Sequence, residues 1–139
     1  MIVLDTNVLS ELMRPSANSA VVDWLDNHGG AELHITAITV AEIMFGIELL
    51  PNGKRRESIA LQAGAMFEDE FAQRVLDFDA DAALHYAHLA ASRRRAGRPI
   101  SHADAQIAAI CVSRGAELAT RDAGGFAGLS LVVTDPWKA

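Results

Sequence analysis

The chain has 139 residues, half of them hydrophobic and 22% charged, the balance of one globular unit rather than of a disordered or fibrous chain. Its formal net charge of −6 excludes a general basic field drawing nucleic acid to the whole surface, so such a partner requires local basic patches or metal ions. A lone cysteine, Cys111, excludes an intramolecular disulfide, and no segment approaches the roughly 18 apolar residues of a membrane span.

Ile2-Val3-Leu4 reads as a strand ending at Asp5-Thr6-Asn7, a helix-entry sequence. The first helix runs to about Met13, where Arg14-Pro15-Ser16 breaks it, and Val21, Val22, Trp24 and Leu25 mark a second, ended by Gly29-Gly30. A buried strand is expected from Leu33 to Ile38, then an apolar helix over about Val40 to Leu50 that stops at Pro51-Asn52-Gly53. Residues 54–72 read as a more polar helix and 75–78 as a short strand. An alanine-rich helix over 80–96 closes at Gly97-Arg98-Pro99, and another spans Ser101 to Arg114. Glu117–Ala119 and Leu131–Val133 are the last strands. This alternation predicts one α/β domain over 1–139: three α/β/α layers around a mostly parallel five-stranded sheet. With no basic or long apolar leader, the chain is expected in the cytoplasm and not at a membrane.

Four carboxylates, Asp5, Glu42, Asp104 and Asp122, each stand where an apolar segment gives way to a turn or helix start. In an α/β chain the strand carboxyl ends line one edge of the sheet, where such folds place their sites. Acids gathered there repel one another unless protons or metal ions neutralise them. Each also suits a local role. Thr39-x-x-Glu42 fits a capping box, Ser101-x-x-Asp104 is a looser version, Asp5 suits a helix cap and Asp122 a glycine turn. Helical spacing, however, groups Asp104 with Ile107, Ala108 and Cys111, and Glu42 with Phe45, Gly46 and Leu49, as stripes expected to face the sheet. An acid atop a core-facing stripe suits a ligand better than a solvated cap. Hard oxygen donors without nearby cysteine point to Mg²⁺ or Mn²⁺, and such a pocket suits phosphodiester hydrolysis by an activated water, leaving a 5′-phosphate and a 3′-hydroxyl.

These residues resemble the PIN-domain nucleases, and more narrowly the VapC-type and FitB-like toxins of bacterial toxin–antitoxin pairs. The resemblance is carried by Val3-Leu4-Asp5-Thr6-Asn7-Val8-Leu9-Ser10, Thr36-Ala37-Ile38-Thr39-Val40-Ala41-Glu42 with Gly46, Ala103-Asp104-Ala105-Gln106-Ile107-Ala108, and Leu118-Ala119-Thr120-Arg121-Asp122 with Phe126, closing on Asp135-Pro136-Trp137. It implies that Asp5, Glu42 and Asp104 are the principal metal ligands and that Asp122 completes the acidic pocket. Many relatives carry Asn at that fourth position. Asn7 and Thr120 are expected to orient the carboxylates. The implied activity is a Mg²⁺- or Mn²⁺-dependent endoribonuclease acting on an RNA substrate and inhibited by a cognate antitoxin. The implied assembly is a homodimer that meets operator DNA only through the antitoxin.

Lys54-Arg55-Arg56 and Arg93-Arg94-Arg95 with Arg98 are the dense basic clusters, suited either to RNA phosphates or to a solvated helix face. Arg14 and Arg121 flank pocket residues and are candidate substrate or antitoxin contacts. His85 and His88 suit a surface or dimer contact, and Cys111 a core position. The helix around Ile43, Phe45, Ile47 and Leu49, apolar nearly all round, is either deeply buried or half covered by a partner. An aspartate-nucleophile phosphatase is disfavoured by Asn7 where a second Asp is needed, and a phosphate-accepting domain by the lack of a lysine between Lys54 and Lys138. The rival from another class is a non-cleaving partner of a DNA-binding antitoxin, acting in transcriptional repression.

Overall fold

The computed structural model describes residues 1–139. The five strands, β1 (Ile2–Leu4), β2 (Leu33–Thr36), β3 (Val75–Leu76), β4 (Glu117–Ala119) and β5 (Val133–Thr134), form one sheet in the order β3-β2-β1-β4-β5. Every neighbouring pair is parallel, with Ile2 opposite both Leu33 and Glu117. β1 is therefore the central strand. The chain builds outward from it on one side through β2 and β3, then returns to build the other side through β4 and β5. That reversal creates a topological switch point between β1 and β4, where open α/β sheets bind their ligands beyond the strand carboxyl ends.

Successive strand residues point to opposite faces, and both faces are covered. Ile2, Leu4 and Ile35 pack into the layer formed by α1 (Thr6–Leu12), α2 (Ser19–Asp26), α3 (Ala37–Glu48) and α4 (Lys54–Ala65). Val3, Leu76 and Leu118 pack into the opposite layer, formed by α5 (Ala80–Arg95) and α6 (His102–Arg114). The three-layer α/β/α architecture follows from that alternation. Ser101 caps α6 by accepting from the Asp104 backbone N–H, and Gly115 ends it in the left-handed conformation that glycine adopts without a Cβ penalty.

Several boundaries differ from the sequence expectation. β2 ends at Thr36 rather than Ile38, because the Thr36 hydroxyl accepts from the Thr39 backbone N–H and starts α3 there. Thr36, not Thr39, is the cap, so the capping box to Glu42 does not form. The helix expected over 54–72 leaves α geometry at Ala65 and finishes in a π-turn over Met66–Glu70. β3 has two residues, and the last strand lies at Val133–Thr134.

The larger correction concerns α3. Its buried positions are Thr39, Ile43 and Ile47, whereas Phe45 is 65% and Leu49 69% exposed. The stripe carrying Glu42 therefore faces outward, unlike that of Asp104, whose companions Ile107, Ala108 and Cys111 are wholly buried. A helix apolar on every side gives periodicity nothing with which to choose its inner face.

Candidate active site at the switch point

Asp5 is the last residue that β1 holds in register, donating its backbone N–H to the Ala119 carbonyl at 2.9 Å. It is also the N-cap of α1, with Oδ1 accepting from the Thr6 backbone N–H at 2.9 Å. Its other oxygen, Oδ2, accepts from the hydroxyl of the fully buried Thr120 at 2.7 Å. Only 5% of Asp5 is exposed. Burial raises its pKa from 3.8 to about 6, against the two hydrogen bonds that favour the anion, and the charges of Asp104 and Glu42 push it further the same way.

Those charges show which acids converge. Asp104, one turn into α6, and Glu42, on α3, are close enough to act on Asp5. Asp104 uses its backbone N–H on the Ser101 cap, and its carboxylate takes no hydrogen bond from the chain. Glu42 Oε1 accepts from the Thr6 hydroxyl at 2.7 Å, and the buried Thr39 hydroxyl lies 3.0 Å from that of Thr6. Since the Thr6 proton is committed to Glu42, Thr39 is the donor of that pair.

Asp122 stands apart. It is exposed, it is not among the charges acting on Asp5, and its Oδ1 accepts from the Gly125 backbone N–H at 3.2 Å. A Cβ at Gly125 would collide with that carboxylate and push it aside, so the glycine preserves the Asp122 contact. The link to the other acids runs through the backbone: the Asp122 N–H donates to the Thr120 hydroxyl at 3.1 Å.

Asn7 donates its side-chain N–H to the Thr120 hydroxyl at 3.1 Å and accepts the Arg121 backbone N–H at 3.2 Å, joining α1 to the segment after β4. Arg14 pairs with the buried Glu11 at 3.1 Å, and the Arg121 guanidinium lies 4.9 Å from the Trp137 ring centroid. Glu11 is held below the usual carboxylate range by the Asn18 backbone N–H and then by Arg14, with the charge of Arg121 adding to both.

Three contributors play roles that their sequence context did not indicate. Thr6 and Thr39 act on an acid 36 residues away from Thr6 along the chain. Arg93, expected to be solvated or phosphate-binding, instead donates to the carbonyls of Arg98, Ala127 and Gly125 at 2.8–3.0 Å. It thereby ties the end of α5 to the turn that follows Asp122. Cys111 is buried and its thiol is pushed up to about 12 by desolvation and then by the charge of Asp5, which leaves it inert.

The three converging acids do not close around a common point: no three acidic, histidine or cysteine side chains stand within mutual ligating range. Their donor chemistry still fits a hard divalent ion. Asp5 is a desolvated anion beside two further carboxylates, one without any internal partner, and hard cations take such oxygens.

Comparison with known proteins matches residues 2–129 to the PIN domain. The plasmid stability protein StbB of Pseudomonas syringae pv. tomato is 45% identical over 139 residues, covering all of both chains. The VapC ribonuclease Y4jK of Sinorhizobium fredii is 42% identical over 138 residues, 99% of each chain. The crystal structure of FitAcB from Neisseria gonorrhoeae superimposes with a TM-score of 0.92 at 39% identity, covering all of both chains. With its switch-point acids set in that frame, the chain belongs to the PIN-domain family, among the VapC- and FitB-type toxins.

Proposed function

We propose that the single domain of residues 1–139 is the toxin of a type II toxin–antitoxin pair, a cytoplasmic Mg²⁺- or Mn²⁺-dependent endoribonuclease. The observation that carries this reading is the buried Asp5 carboxylate, set against Asp104 and Glu42 at the sheet switch point and charged at a cost that a cation would remove. Asp5, Glu42 and Asp104 would hold the ion, with Asp122 at the margin. Bound there, Mg²⁺ or Mn²⁺ would supply charge neutralisation for a phosphodiester and a water acidic enough to attack it.

The chain's own residues supply placement. Thr120 and the Thr6 backbone hold both Asp5 oxygens, the Thr6 hydroxyl holds Glu42, and Asn7 keeps Thr120 aimed. The Asp104 carboxylate, free of internal bonds, is available to close on an incoming ion. Preorganised acids of this kind lower the cost of assembling charge at reaction. A cognate antitoxin would silence the site, and operator DNA would be met only through it. The exposed Phe45 and Leu49 of α3 suit the homodimer contact.

The deciding experiment incubates a panel of structured and single-stranded RNAs with the isolated chain in Mn²⁺, Mg²⁺ or chelator, beside Asp5→Asn. Metal-dependent cuts with 5′-phosphate ends, absent from the variant, support the proposal. Cutting that survives both chelator and Asp5→Asn refutes it. A chain that binds metal yet cuts nothing favours a non-cleaving partner in transcriptional repression.

A further inference from the structure

α5 ends on three successive arginines, of which Arg94 and Arg95 are exposed and Arg93 is half-buried. The chain reverses at Gly97, whose φ of 71° suits glycine, and Arg98 folds back so that its backbone N–H reaches the Arg93 carbonyl at 2.9 Å. The Arg93 guanidinium closes that loop from the other side, with Nε donating to the Arg98 carbonyl at 2.8 Å. Its remaining nitrogens reach a different part of the chain. Nη2 donates to the Gly125 carbonyl and Nη1 to the Ala127 carbonyl, each at 3.0 Å. Every nitrogen of one planar fork is committed, one carbonyl apiece.

The two segments joined in this way each carry an acid. Pro99 and Ile100 lead from Arg98 to Ser101, the cap of α6, and Asp104 stands in the first turn of that helix. Gly125 belongs to the turn Ala123–Phe126 that Asp122 caps, and its N–H is the donor to Asp122 Oδ1. Phe126, buried against the α5–α6 layer, holds the turn from within, and Arg93 holds it from outside. Neither carboxylate is tied to the other by any direct bond: Asp104 accepts nothing from the chain, and Asp122 accepts from its own turn. Two ligands on separate segments serve one ion only when the spacing of those segments is fixed to a fraction of an ångström.

We propose that Arg93 is a positioning residue for the ion site, a strut that sets the separation of Asp104 and Asp122. The inference rests on the metal-site reading of the acids. A guanidinium that served only to finish α5 would bond the last carbonyls of its own helix. Arg93 instead spans from the loop ahead of one acid to the turn behind the other, across 32 and 34 residues of chain. Asp122 is exposed, so its approach to an ion depends on where its turn is held.

Arg74 supplies a matched control. Its guanidinium also donates to three carbonyls, those of Gly30, Leu33 and Glu70, but at the amino ends of β2 and β3, the sheet edge opposite the acids. The test titrates Mn²⁺ calorimetrically into the wild type, Arg93→Ala, Arg93→Lys, Arg74→Ala, Asp122→Asn and the double variant Arg93→Ala with Asp122→Asn, with urea unfolding of each followed in parallel. Arg93→Ala should weaken Mn²⁺ binding about tenfold, the lower end of the effect of losing a group that orients a ligand, and Arg93→Lys should weaken it less. Arg74→Ala should lose comparable stability and bind Mn²⁺ as the wild type does. In the Asp122→Asn background the effect of Arg93→Ala should shrink to within about twofold, because the pair acts as a unit. A folded Arg93→Ala with wild-type affinity overturns the proposal, as does an equal loss in Arg74→Ala or an undiminished loss in the double variant. If Arg93→Ala does not fold, Arg93→Lys decides: wild-type affinity overturns the strut, and a loss that vanishes beside Asp122→Asn supports it. A wild type that binds no Mn²⁺ overturns the strut together with the metal site. Cleavage of RNA is scored separately, so the expected Mn²⁺ pattern without any cutting refutes the nuclease and leaves the role of Arg93 standing.

Discussion

The hydroxyl of Thr120 can send its proton only to Asp5. Its oxygen already accepts the side-chain N–H of Asn7 and the backbone N–H of Asp122, both at 3.1 Å, so the 2.7 Å contact to Asp5 Oδ2 is a donation. A buried hydroxyl thus fixes the rotamer of a buried acid across 115 residues of chain.

Removing that hydroxyl while keeping its shape tests the arrangement. Thr120→Val should destabilise the fold by roughly 1–3 kcal/mol, because Asn7 and Asp122 are left as donors without an acceptor. It should also weaken Mn²⁺ binding about 10–100-fold, the usual scale when a group orienting a ligand is lost. Thr120→Ser keeps the hydroxyl and should recover most of both in urea unfolding and metal titration.

The stability of the metal-free protein should fall as pH rises from about 4 to 6. The folded state raises the Asp5 pKa from 3.8 to about 6, so it binds the proton more tightly than the unfolded chain does. The penalty is absent below the lower value, grows through the window and is complete above the upper one, on the order of 2–3 kcal/mol. Thermal unfolding in chelator, wild type against Asp5→Asn, should show this fall in the wild type alone. Adding Mn²⁺ at pH 7 should restore the lost stability.

Asp104→Asn should abolish cleavage while raising the metal-free melting temperature slightly, since it removes one of the charges that burden Asp5. Asp122→Asn should cut activity less and leave metal-free stability within about 1 kcal/mol of wild type, because an amide oxygen can still accept from Gly125. Equal loss of stability in both variants would mean that the acids serve as caps.

Arg93→Ala should cost roughly 1–3 kcal/mol and loosen the turn at 123–127, whose carbonyls lose a charged donor. Amide hydrogen exchange localised to that turn is the check. Arg93→Lys, which cannot reach three carbonyls at once, should recover only part of the stability.

If the proposed dimer forms through α3, Phe45→Ser with Leu49→Ser should turn it into a monomer in sedimentation without loss of fold stability, as both side chains are exposed in the single chain. An unchanged dimer would place the contact elsewhere.

Much of the architecture was legible in the sequence because strands and breakers alternate so regularly. Asp5 could be placed by the short apolar run before it, and Asp104 by the stripe of Ile107, Ala108 and Cys111 beneath it, although Ala105, Ala109 and Ile110 of α6 are buried as well. Glu42 was found as a residue, yet its surroundings were inverted, because α3 carries Phe45 and Leu49 outside as well as Ile43 and Ile47 inside. Arg93 was unreadable for a similar reason: within Arg93-Arg94-Arg95 nothing local distinguishes the guanidinium that finds three carbonyls. Thr6 and Thr39 act on each other across 33 residues, a pairing set by the tertiary fold rather than by neighbours in sequence.

The central position of β1 carries a consequence for the order of synthesis. Asp5 is made 115 residues before Thr120, and its oxygen is not fixed until β4 docks beside β1 and brings Thr120 with it. Asp104 arrives only shortly before that. A nascent chain therefore holds Asp5 and Glu42 without their partner through most of that interval, and the acidic cluster is completed only when Asp104 and Thr120 have followed. A nuclease of the proposed kind would be inactive until that last piece docks, whatever the rest of the sheet has already formed.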